Sequence, residues 1–216
     1  MIPADDNDDW ISGALSEARF APYLEECGGD IAAAWGLYVW NIRVSGAFYP
    51  LLHFVEVTLR NALHRELGTR FGQVDWWAVA PLNEHGQHLV KQAREKLFGH
   101  RSPYNADDLV AKLTFGFWVS LVSQTYDRTL WVPALHRAFP HYRGRRDALY
   151  AELRAVLWLR NRVMHHEPIH RRDLKGDHAK IYRLYDHMSS SLAAAVRRVD
   201  QVPYMLRLLD RVGSRS

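Results

Sequence analysis

The chain has 216 residues, 48% of them apolar and 24% charged, with a net charge of +4, ordinary globular usage that excludes a disordered, collagenous or fibrous protein. Charge is unevenly spread: residues 1–30 hold eight acidic side chains against one basic, whereas residues 136–216 hold 17 Lys or Arg against 8 Asp or Glu. The basic part fits a polyanionic partner, nucleic acid first, or equally a solvated arginine-rich surface.

In chain order, Ser12 or Ser16 is expected to cap a first helix reaching Cys27, stopped by Gly28-Gly29 in the left-handed C-cap conformation. Asp30 then caps a long apolar-rich run to Leu67, which Pro50 should kink or split. Asn105-Ala106-Asp107-Asp108 opens a helix over Leu109 to Ser123. Asp127 to Phe139 reads as a helix interrupted by Pro133 and ended by Pro140. Arg145 to His166 reads as helical up to the stop imposed by Pro168. His178 to Val199 is a further helix, followed by a short one after Pro203. No run shows sustained period-2 alternation, and no Asn-Gly or Asp-Gly turn occurs. The expectation is all-α: an acidic, loose N-terminus over residues 1–12, then one helical domain over 13–212 built on an up-and-down bundle.

Apolar stretches such as Phe115 to Val119 fall far short of the about 20 residues a membrane span requires. The acidic opening is unlike a secretory signal. The lone Cys27 excludes a disulfide framework and a cysteine-based zinc site. The reading is a soluble cytoplasmic protein with no membrane partner and no cofactor.

The chemistry concentrates in Leu159-Arg160-Asn161-Arg162-Val163-Met164-His165-His166-Glu167-Pro168. On a helical wheel Leu153, Val156 and Val163 fall within about 40° of Leu149, and Arg160 falls about 20° from it. A guanidinium on a buried face needs an anionic partner, of which a ligand phosphate is one. His165 lies about 140° around a regular helix from Arg160. The two converge on one ligand only if the helix end unwinds or two copies meet across a two-fold axis, a pairing expected also to bury the stripe around Val156 and Val163. Such a set suits metal-free RNA cleavage. A neutral histidine takes the 2′-hydroxyl proton, the oxygen attacks phosphorus, and arginine balances the developing charge, with Asn161 holding the histidine or the phosphate. The same residues equally suit a helix C-terminus whose histidines complement the dipole and whose arginine is paired internally.

The string Arg160-Asn161-x-x-x-His165 resembles the Arg-x4–6-His motif of the HEPN superfamily, and within it the Abi-like (abortive infection) branch. Three further blocks resemble that branch: Leu37-Tyr38-Val39-Trp40-Asn41 with Ser45, Glu56 to His64, and Leu113 to Trp118. The resemblance implies an HEPN-type bundle, dimerisation and metal-independent endoribonuclease activity in a toxin or phage-defence effector. RNA would be the substrate or a regulatory partner, and an antitoxin protein or RNA a controlling one. A non-catalytic RNA-binding module on the same bundle is the alternative.

Glu56, Arg60 and His64 recur every fourth residue, and His53 joins the same side. They form either a solvated ion-pair ladder or a second row lining the RNA cleft, together with Asn61, His166 and Arg162 as supporting residues. His165, His166, Glu167 and His170 read poorly as metal ligands, because Pro168 breaks the helix an i, i+4 pair would need. Phe115-Gly116-Phe117-Trp118 reads as core, with Gly116 admitting a close neighbour, before it reads as a base-stacking platform. Arg143, Arg145, Arg146, Arg171, Arg172 and Lys175 flank the motif helix as a phosphate-tracking or a solvated surface.

Overall fold

The computed structural model describes residues 9–98 and 105–213. Most of the expected loose N-terminus lies outside the described residues. Every regular element among them is helical and none is a strand. None of these helices is long and apolar enough to cross a membrane.

The first expected helix, with its Ser16 start, is α2 (Glu17–Glu26), and a short α1 (Asp9–Leu15) precedes it. Ser16 between them sits at φ 65° and makes no side-chain capping bond to α2, so it marks the helix start without the expected cap. Gly28 and Gly29 follow at φ 60° and 89°, and the Gly29 N–H closes on the Leu24 carbonyl at 2.9 Å. They end the helix as glycine can and other residues rarely do.

The Asp30 carboxylate accepts from the Ala33 N–H at 2.9 Å and opens α3 (Ile31–Phe71), 41 residues long. Pro50 does not split it. A proline inside a helix costs about 3 kcal/mol. Phe48, Leu51 and Leu52, all fully buried beside it, each contribute about 1.5–3 kcal/mol, so packing outweighs the missing bond.

A helix that the sequence reading left out, α4 (Glu84–Phe98), buries Gly86, Val90, Ala93 and Leu97 on one face. The Asn83 side chain starts it by accepting from the Gly86 N–H at 2.8 Å. A Cβ on Gly86 would stand 2.8 Å from the Tyr126 hydroxyl, so glycine is required there. The expected Leu109–Ser123 helix is α5 (Ala106–Lys112) and α6 (Phe115–Ser120). Asn105 and Asp108 form a reciprocal capping box on α5, and Thr114 caps α6. Asp127 to Phe139 holds a π turn over 127–131 and a 3-10 turn over 135–138 in place of an α-helix.

The last four helices are α7 (Arg146–Met164), α8 (Leu174–Met188), α9 (Ser190–Val196) and α10 (Val202–Gly213). Asp173 starts α8 four residues before the expected His178, accepting from the Gly176 N–H at 2.9 Å. Ser189 divides the expected His178–Val199 helix and caps α9.

Two compact units arise. One comprises the described residues up to 50 together with 159–178 and 200–213. Its interior gathers Ile11, Phe20, Tyr23 and Ala34, with Trp35 and Tyr38 against them. The Trp40 indole donates to the Met205 carbonyl at 3.1 Å. The other comprises the described residues of 51–158 together with 179–199. There Trp76 stacks on Phe117 at 6.5 Å and meets Trp118 edge-on at 6.1 Å. Phe115, Phe117 and Trp118 are fully buried core, as their spacing predicts. Gly116 is not demanded by packing, since a Cβ there would meet Leu157 at an ordinary 3.9 Å.

Candidate functional site

Helix α7 presents the central motif. Leu149, Leu153, Val156, Leu159 and Val163 are its buried face, and Arg160 is half-buried beside them. The chain itself covers this face: Val156 is 1% exposed and Val163 7%. The expectation that a second copy would bury the stripe is therefore overturned. Arg160 donates to the Asn161 side-chain oxygen at 3.4 Å.

The helix stays regular to its end, with the His165 N–H on the Asn161 carbonyl at 2.9 Å. It does not unwind to swing His165 toward Arg160. Two bonds then close the terminus, Glu167 N–H to Arg162 carbonyl at 2.8 Å and His166 N–H to Val163 carbonyl at 3.2 Å. This is the Schellman arrangement, in which the penultimate residue adopts the left-handed conformation that favours glycine. Here that residue is His166, at φ 56°.

Contacts from near and far in the sequence hold the turn. The Arg162 guanidinium donates twice to the Pro168 carbonyl, at 3.0 and 2.7 Å, and lies 3.7 Å from the Glu167 carboxylate. Arg19 donates to the His166 carbonyl. The buried Asn41 accepts the Ile169 N–H at 2.8 Å. Arg171 pairs with Glu25 and Glu26 at 3.1 and 2.7 Å, tying part of the acidic segment to the basic one.

The turn separates the two histidines. The His165 ring is exposed and has no hydrogen bond among the described residues. His166 lines a cleft of about 560 Å³ with Tyr23, Tyr38, Asn41, Ser45, Tyr49 and Val163. Burial pushes the Tyr23 hydroxyl up to about 12, so it stays protonated. Asn41 and Ser45 belong to the first resembling block, but spacing alone gave them no place in a site. The available signal was helical: 38, 41, 42, 45, 46 and 49 fall on one stripe of α3.

The other predicted residues lie on the second half of α3. Arg60 donates to the Asn61 side chain at 3.3 Å, and Glu56 is half-buried. His64 is built into the core: its Nδ1 accepts from the Trp76 indole at 3.0 Å and its ring stacks on Trp77. Burial lowers its pKa, opposed by the Asp107 carboxylate and aided by the smaller effect of the Arg60 charge. The flanking arginines are largely engaged. Arg143 holds the Pro140 carbonyl, Arg145 pairs with Asp147, Arg146 with Asp127 and Arg172 with Asp177.

His170 packs its ring on Tyr23 at 4.8 Å with both nitrogens buried and unbonded, and desolvation lowers its pKa. Among the described residues no three His, Cys, Asp or Glu side chains gather closely enough to hold a metal ion.

No family model, curated protein or solved structure matches this chain. Its chemistry is read from its own side chains.

Proposed function

We propose that this protein is an endoribonuclease of the Abi-like HEPN type, acting without a metal as a toxin or phage-defence effector on RNA. What carries the reading is the Arg160-Asn161-x-x-x-His165 string at the C-terminal end of α7, where an exposed imidazole has no hydrogen bond among the described residues. His165 removes the 2′-hydroxyl proton and the oxygen attacks the adjacent phosphorus. Arg160 offsets the charge on the phosphoryl oxygens, and the 5′-oxygen leaves with a proton taken from water. The product ends are a 2′,3′-cyclic phosphate and a 5′-hydroxyl. DNA, lacking the attacking group, survives.

Because α7 is regular between Arg160 and His165, one protomer does not turn both toward one phosphate. A homodimer supplies the pair from two copies, and on α7 the exposed Trp158, 60% accessible, offers apolar surface to a mate in place of the buried stripe. The same regularity favours a second reading, a non-catalytic RNA-binding module, if the protein is monomeric. Incubation with single-stranded RNA in EDTA, with light scattering on the same preparation, decides. Cleavage by wild type and none by His165→Ala supports the nuclease. RNA binding without cleavage by a monomer supports the module, and cleavage only with added divalent metal refutes the mechanism.

A further inference from the structure

We propose that the cleft beneath His166 is a pocket for one unpaired nucleobase that presents a carbonyl oxygen, uracil being the type case. The inference rests on the RNA reading only for the source of that base.

The lining decides the chemical class. Tyr23, Tyr38 and Tyr49 supply rings, Ile42, Pro50 and Val163 apolar edges, and no Lys, Arg, Asp or Glu contributes. Such a wall suits a flat neutral ring and holds no lysine or arginine to balance a phosphate. Tyr49 is 52% exposed at the rim, free to stack on an entering base.

One polar group in the cleft is fixed in direction. Asn41 is 4% exposed. Its oxygen is spent on the Ile169 N–H, which orients the amide, and its Nδ2 has no partner among the described residues. Asn41 lines the cleft and its Nδ2 is not a sealed atom, so a ligand acceptor there takes the place of water. A base carbonyl pairs with it, whereas an exocyclic amine there sets donor against donor.

The cleft also has room made for it. Gly46 lies in mid-helix, where glycine is unfavourable, yet a Cβ there would meet no protein atom within 4 Å. Pro50, four residues on, has no N–H to give the Gly46 carbonyl. The helix thus faces the cleft with a bare backbone and a spare acceptor.

Nucleosides test the pocket without phosphate or cleavage. Saturation-transfer NMR should show uridine binding the wild-type protein and adenosine binding at least about tenfold more weakly. Gly46→Leu gains helix propensity and fills open space, so it should fold normally by circular dichroism and lose uridine. Tyr49→Ala should weaken uridine about tenfold and Tyr49→Phe should not. Uridine binding unchanged in folded Gly46→Leu overturns the location. Adenosine binding as well as uridine overturns the carbonyl preference. No nucleoside binding, with RNA still cleaved, overturns the pocket and leaves the nuclease standing. Binding lost in Gly46→Leu, with no cleavage by wild type, supports the pocket and removes the nuclease.

Discussion

His166 occupies the C-terminal position of α7 that glycine fills most readily, at φ 56°. A side chain in the left-handed region costs about 1–2 kcal/mol. Replacing His166 by glycine removes that cost and returns about 0.5–1 kcal/mol through the greater freedom of the unfolded chain. The ring is exposed, so little burial is lost, and Arg19 binds the backbone carbonyl, which glycine retains. The net expectation for His166→Gly is a gain of about 0.5–1 kcal/mol, a melting temperature higher by about 1–4 °C for a chain of this size. His166→Ala keeps the Cβ and the cost, and should show no gain. Differential scanning calorimetry on the two variants measures the difference, and RNA binding measured alongside should fall in both. A glycine variant no more stable than the alanine variant would refute the reasoning. A histidine held where glycine would be more stable directs attention to its ring.

His165→Ala should abolish turnover while leaving RNA affinity nearly intact, and Arg160→Ala should weaken both, as single-turnover kinetics and filter binding can separate; cleavage by His165→Ala at the wild-type rate moves the base to His166. Asn41→Ala leaves the buried Ile169 N–H without an acceptor and should cost about 1–3 kcal/mol in urea unfolding, whereas Asn41→Asp keeps an acceptor there and should cost less. His64, His170 and His187 all have pKa values lowered, chiefly by burial. The unfolded chain therefore binds more protons below their ordinary 6.5, so stability should fall as pH drops from there toward the lower folded values. His170→Phe keeps a ring on Tyr23, removes two unbonded nitrogens, and should stabilise by about 1 kcal/mol and flatten that slope; an unchanged pH profile by circular dichroism assigns the effect to the other two histidines.

Local rules were legible where the deciding partners lie within a turn or two. Asp30, Asn105 with Asp108, and the Gly28-Gly29 pair set helix ends through hydrogen bonds and φ angles a few residues away. The 3.6-residue period identified Leu149, Leu153, Val156 and Val163 as one buried face, and the aromatic block at 115–118 as core. Helix α4 escaped because its buried stripe is only four residues wide among charged and polar neighbours, and Gly86 is explained by Tyr126, 40 positions away.

Tertiary packing decided the rest. Pro50 reads as a breaker until the burial of Phe48, Leu51 and Leu52 is counted against it. The valine stripe of α7 reads as a dimer seam until the chain is seen to cover it. His165 and His166 are neighbours of one type, and no local pattern tells which enters the cleft. That choice depends on the sign of one φ angle, held by Arg162 nearby but also by Arg19 and Asn41, which lie more than 120 residues away in sequence. Contacts of that range leave no periodic trace, because each is a single pair of side chain and backbone that only the folded chain brings together.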